Sequence, residues 1–188
     1  MKIEKISVRL GGLSDIMFDK FVDYSEQQRP PEQRLYLAEG NRVVLPADNI
    51  FYFLFAEKPE GAVKMFEKKK ARPIRSVGMS SVIIDPMLIP FEREGEEVVF
   101  EGFDKNGLYV YWASPVVKKG SLCIKQESKP RPVLRLPWSL SFTISLIKND
   151  TIDEERLHNW FDQGGLVVAI GTYRPRFGRF CVEKWEVK

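Results

Sequence analysis

The densest set of chemically capable side chains lies in one run: Gly164-Gly165-Leu166-Val167-Val168-Ala169-Ile170-Gly171-Thr172-Tyr173-Arg174-Pro175-Arg176-Phe177-Gly178-Arg179-Phe180. Its last ten positions hold two glycines, three arginines and three aromatic residues. Glycine lets a backbone approach a ligand closely, and the N–H groups it exposes can hold a phosphate. A guanidinium is a planar fork matched to phosphate oxygens, and an aromatic ring can stack on a base. Stacking contributes ~1–3 kcal/mol per base, while each phosphate contact adds a salt-sensitive attraction. Tyr173, Arg174, Arg176, Phe177 and Arg179 are therefore candidate nucleic-acid-binding residues. The same letters also read as a tight hairpin whose rings pack inward and whose arginines keep an edge soluble.

Two further basic clusters could extend such a surface. Lys68, Lys69, Lys70, Arg72 and Arg75 stand together with no acid among them, and Lys69, Lys70 and Arg72 are candidates for a phosphate groove shared with the Arg174 loop. From Ser121 to Arg135 come Lys125, Lys129, Arg131 and Arg135 against the single acid Glu127. Lys129 and Arg131 alternate with Pro130 and Pro132, which suggests an extended basic arm lying along a phosphate backbone or a neighbouring subunit. Strand alternation places Tyr109 and Tyr111 on one face, as a stacking platform, a core layer or a protein contact. The whole chain of 188 residues carries 29 Lys and Arg against 26 Asp and Glu, a net +3, so an anionic partner has to be met by a local patch.

Catalytic and cofactor signatures are sparse. His158, the one histidine, adjoins an apolar helical stripe between Glu154 and Asp162 and reads as a surface helix residue. The early candidates for a catalytic loop aspartate are Asp15 and Asp23, with Asp15 expected to cap a short helix from Ile16 to Val22. No carboxylate cluster for metal-assisted phosphoryl chemistry stands out, nor a Walker or dinucleotide motif, so neither metal nor cofactor is expected. Cys123 and Cys181 are too few for a disulfide framework, and the lack of a Cys-x-x-Cys pair argues against structural zinc. A non-enzyme is the reading, with a metal-dependent ribonuclease using Asp15 as the weaker alternative.

The elements that must position these residues can be read from periodicity. Ile3 to Leu10 is strand-like, closed by Gly11-Gly12. Arg34 to Leu45 is a hairpin turning at Gly40-Asn41. Pro46 opens a buried helix through Phe55, and Ala62, Val63 and Phe66 mark a second. Val98 to Phe103 and Leu108 to Trp112 flank a hairpin turn at residues 104–107. Val133 to Ile147 is a long strand with Phe142, Ile144 and Leu146 on one face and Ser141, Thr143 and Ser145 on the other. Thr151 and Glu154 form a capping box for a helix ending at Gly164-Gly165; Leu166 to Ile170 and Arg179 to Val187 are strands. The length matches about one domain, and the order of elements predicts a single α+β domain with an antiparallel sheet over residues 1–188. The mixed-charge N-terminus is unlike a signal peptide and no apolar run suffices to span a bilayer, which points to a soluble, cytoplasmic protein without a membrane partner.

A sheet strand, an acidic-capped helix, a Gly-Gly break, an apolar strand and a Gly/Arg loop ending Phe177-Gly178-Arg179-Phe180 resemble the closing half of the RAMP superfamily, whose members form the RNA-binding backbone of CRISPR effector complexes. Val43-Val44-Leu45-Pro46-Ala47-Asp48-Asn49-Ile50 is similar to that family's passage from strand to first helix. The resemblance spans most of the chain as an order of elements and is most specific from Gly171 to Phe180. It implies a ferredoxin-like (RRM-like) core with a strand-rich insertion at about 81–137. It also implies binding of single-stranded RNA or DNA, and side-by-side assembly as a homo-oligomer. The chain is similar to a small virus-encoded relative more than to a full effector subunit. Its loop departs from the family in having fewer successive glycines and the stiffening Arg174-Pro175-Arg176. A protein–protein module docking on a larger complex is the alternative.

Overall fold

The computed structural model describes residues 2–20, 29–113, 116–119, 122–125 and 129–188, and within 113–125 the backbone alone. The chain opens with β1 (Ile3–Gly12) and β2 (Ile16–Met17), then the hairpin of β3 (Leu37–Ala38) and β4 (Arg42–Pro46). Three helices follow, α1 (Ala47–Phe55), α2 (Ala62–Glu67) and α3 (Ala71–Ser81). Next come β5 (Val82–Asp85), β6 (Leu88–Arg93), β7 (Glu96–Glu97), β8 (Leu108–Ala113), β9 (Val116–Lys119), β10 (Leu122–Lys125) and β11 (Lys129–Leu134). The chain closes with β12 (Ser139–Ile147), α4 (Glu154–Val167) and β13 (Phe180–Val187).

Sheet pairing arranges these strands into one main layer. β1 lies between β12 and β13, and β12 pairs on its other edge with β5, every contact antiparallel. Taken with the helices, this is a βαββαβ unit in the spatial order β13-β1-β12-β5, the ferredoxin-like arrangement. Strands β6 to β11 are strung between β5 and β12 in the chain. Of these, β6 joins β12 at Ser139 and Leu140 and carries β4 and β3 outward. A second sheet of β2, β11 and β8 stands beside the first.

Alternation explains which face is buried. Ile6, Val8 and Leu10 of β1 and Leu140, Phe142, Ile144 and Leu146 of β12 all turn toward the helices and are buried. They meet Ile50, Phe53 and Leu54 of α1, at helical spacing, and Leu157, Trp160 and Phe161 of α4. Ser141, Thr143 and Ser145 take the opposite, wetter face.

Several local expectations give way to tertiary packing. Gly164 and Gly165 do not end α4, which continues to Val167. They are points of close approach: a Cβ on Gly164 would sit 2.7 Å from the Phe53 ring, and one on Gly165 would collide with the Phe180 carbonyl. Residues 166–170 are consequently helix end and turn, not a strand, with Leu166 and Val167 exposed. Asp153, not Thr151, caps α4 by accepting from the Arg156 N–H at 2.8 Å. Burial of Ile152 holds the preceding turn, where Asn149 Oδ1 accepts from Thr151 and Ile152 at 2.9 Å each. Residues 104–107 do turn, but β8 pairs with β11, while Val98 is drawn between β4 and β6. Arg135 to Trp138 split the expected long strand into β11 and β12, in different sheets. Ile16 and Met17 form a strand on β11, not a helix; residues 21 and 22 lie outside the described ones, as does Asp23.

Candidate nucleic-acid interface

α1 starts directly after β4, with Pro46 in extended conformation at the N-cap and Asp48 in the first turn. Its buried stripe of Ile50, Phe53 and Leu54 leaves Asp48, Asn49 and Tyr52 on the outer side, facing a cleft of about 1020 Å³. Phe18, Asp19 and Lys20, which follow β2, line this cleft, as do Gly171, Thr172 and Arg174 of the loop before β13 and Lys129 at the start of β11. Gly171 has φ +79°, and a Cβ there would sit 2.9 Å from the Met17 carbonyl, so glycine is needed to bring the loop against the strand beneath.

The lining is strongly basic. Lys20, Arg29, Arg34, Lys58, Lys129 and Arg174 face it, against Asp19 and Asp48. Asp19 is already engaged: Arg34 donates to Oδ1 at 2.6 Å and Arg131 to Oδ2 at 2.9 Å. Lys20, Lys58, Lys129 and Arg174 have no carboxylate partner among the described residues. Arg174 Nη1 donates to the Ala169 carbonyl at 3.3 Å, and burial pushes this guanidinium below its ordinary pKa. A charged fork held in a half-dry wall without an acid gains from an arriving anion.

The candidate residues separate into three places. Lys129 and Arg174 share the cleft. Tyr173 and Phe177 turn the other way, into a small core with Met17 and Val133 beside Tyr109 and Tyr111. Phe177 is 8% exposed with the Tyr111 ring on its edge at 5.5 Å, so it is a packing residue and no base can reach its face. Arg176 and Arg179 are exposed: Arg176 lies over the Tyr111 and Phe177 rings, and Arg179 Nε donates to the Pro175 carbonyl at 2.9 Å. Lys69 and Lys70 on the turn into α3 and Arg72 in its first turn are exposed and line no part of the cleft.

Arg131 is a second correction. It is 8% exposed, ion-paired to Asp19, with its guanidinium 5.0 Å from the Tyr173 ring centre. Pairing of β11 between β2 and β8 pulls it inside, so the segment is a central strand and not a free arm. Lys125 and Cys123 fall where the backbone alone is described. Tyr52, 65% exposed on the α1 wall, was missed because its neighbours Phe51, Phe53 and Phe55 make the segment look uniformly buried. Its i+4 spacing from Asp48 was the available signal.

Two of the catalytic candidates, Asp15 and His158, are engaged by the fold. Asp15 Oδ2 accepts from the Tyr109 hydroxyl at 3.0 Å and Oδ1 from the Leu136 N–H at 3.1 Å. Burial and the Asp15 carboxylate push the Tyr109 phenol up to about 12. His158 packs its ring 4.8 Å from Trp185.

No family model matches the sequence, and no curated protein matches it. Among solved structures it is similar to a chain in the cryo-electron-microscopy structure of the type III-B Cmr-beta bound to cognate target RNA. The TM-score is 0.58 at 11% identity over 99% of this chain. The fold is RAMP-like. The chain spans 61% of that chain's length. No helix among the described residues is long and apolar enough to cross a membrane.

Proposed function

We propose that this RAMP-like protein binds single-stranded nucleic acid in the cleft between α1 and the Gly171–Arg174 turn, without cleaving it. The observation that carries the reading is the set of cations, Lys20, Lys58, Lys129 and Arg174, facing one cleft without acidic partners among the described residues. The likeness to a chain from an RNA-bound complex supports it. Binding without cleavage is supported by Asp15, whose two oxygens are both taken up by the fold.

Fluorescence anisotropy with single-stranded RNA, single-stranded DNA and duplex DNA at several salt concentrations tests the proposal. Single strands bind, and affinity falls by ~0.7 log units per log unit of salt for each neutralised phosphate. Lys129→Ala with Arg174→Ala flattens that slope by about 1.4 through the loss of two contacts. Absent or salt-independent binding overturns the reading. Assembly of several copies on one strand shows in the same titration as complexes whose mass grows stepwise with strand length.

A protein-docking role is favoured by one observation, Trp112, which is 65% exposed on β8. Under that reading Trp112→Ala removes capture of a protein partner and the chain retains no oligonucleotide at low salt.

A further inference from the structure

We infer that Tyr52 is the base-stacking residue of the cleft and that Asp48 orients the strand by turning its phosphates away from α1. The inference rests on the single-strand reading above and assigns the two walls different tasks. Of the four rings of α1, Phe53 and Phe55 are buried and Phe51 packs against Phe55 at 5.2 Å. Tyr52 alone turns outward, 65% exposed, with no hydrogen bond from its hydroxyl and no ring contact among the described residues. It lines the same cleft as Lys129 and Arg174.

Charge decides which part of a nucleotide meets which wall. Asp48 and Asn49 precede Tyr52 by four and three positions and lie on the same helical face. Asp48 makes no ion pair among the described residues, so its carboxylate repels a phosphate arriving on the α1 side. Lys20, Lys129 and Arg174 come from other segments and attract it, and Lys58, three residues past the end of α1, adds a cation beyond that helix. A polyanion in the cleft therefore runs along the cations, and its bases project toward α1, where an open ring and polar groups await them. A duplex hides its base faces and cannot use this wall; an unpaired strand can.

The test uses the intact protein with two single strands of equal length and charge, one of normal RNA nucleotides and one abasic. Tyr52→Ala weakens binding of the normal strand by at least about fivefold, the low end for loss of one stacked base, and leaves the abasic strand unchanged. Tyr52→Phe retains wild-type affinity for both, since the ring and not the hydroxyl stacks. Tyr52 is exposed, so thermal melting of the variants should match wild type. If wild type binds normal strands and Tyr52→Ala weakens both strands equally or neither, the stacking assignment is overturned while the single-strand reading stands, and the ring then belongs to a protein contact. If wild type binds neither strand, both readings fall together.

Discussion

Two arginine-centred regions of the molecule treat positive charge in opposite ways. On the open face of the main sheet, Arg9 is enclosed by its own complements: Glu92 at 2.5 Å, Glu183 at 3.2 Å, and the hydroxyls of Ser139 and Ser141 at 2.7 and 3.0 Å. These carboxylates hold its guanidinium above the ordinary arginine pKa through hydrogen bonding and charge. In the cleft, one carboxylate, Asp19, serves two buried arginines, and Lys20, Lys58, Lys129 and Arg174 are left without acids among the described residues. The sheet face is electrostatically complete; the cleft is short of negative charge. An arginine count alone cannot separate a girder from a binding surface, because the separating variable is who stands opposite.

The comparison breaks first at Asp19. Replacing it with alanine removes the anion shared by Arg34 and Arg131, both under a tenth exposed. Loss of one partner from a buried pair costs ~3–5 kcal/mol, read as a lowered midpoint in urea unfolding. A gain in stability would mean the cleft floor is not strained for negative charge. Charge reversal above it, Lys129→Glu with Arg174→Glu, should weaken single-strand RNA binding by about 100-fold, or ~2.8 kcal/mol at 1.4 kcal/mol per tenfold. Unfolding of this variant should change little.

Arg9→Ala sharpens the contrast from the other side. It removes several part-exposed hydrogen bonds and lowers stability by about 1–2 kcal/mol, without altering RNA affinity. A loss of RNA affinity matching that of the cleft variants would erase the distinction between the two regions. Tyr109, beneath the loop, acts only at high pH. Its phenol ionises near 12 in the folded chain against about 10 unfolded, so its contribution is intact below pH 10 and is lost as pH rises from 10 to 12. Alkaline titration of tyrosine absorbance should show a late-ionising group that Tyr109→Phe removes.

What the amino-acid order determined by itself was the arrangement of local elements. Alternation along Ile3 to Leu10 and along Leu140 to Leu146, together with the Pro46 start of α1, was enough for the antiparallel sheet and its buried face. These signals are local, set by side-chain period and backbone chemistry, so they survive without knowledge of neighbours. The Lys129 and Arg174 candidates were readable for the same reason, as charges beside backbone-constraining residues.

Tertiary structure alone decided orientation and partnership. Gly164-Gly165 is a contact with Phe53 and Phe180 and not a stop, and Phe177 and Tyr173 face a second small core. Arg131 is a buried ion-pair member because β11 has a strand on each side, and Tyr52 is the ring that escapes the core. Each outcome depends on which distant segment packs opposite, a free-energy difference set by burial and charge pairing between residues far apart in the chain, 112 positions for Asp19 and Arg131. No local pattern can carry that information.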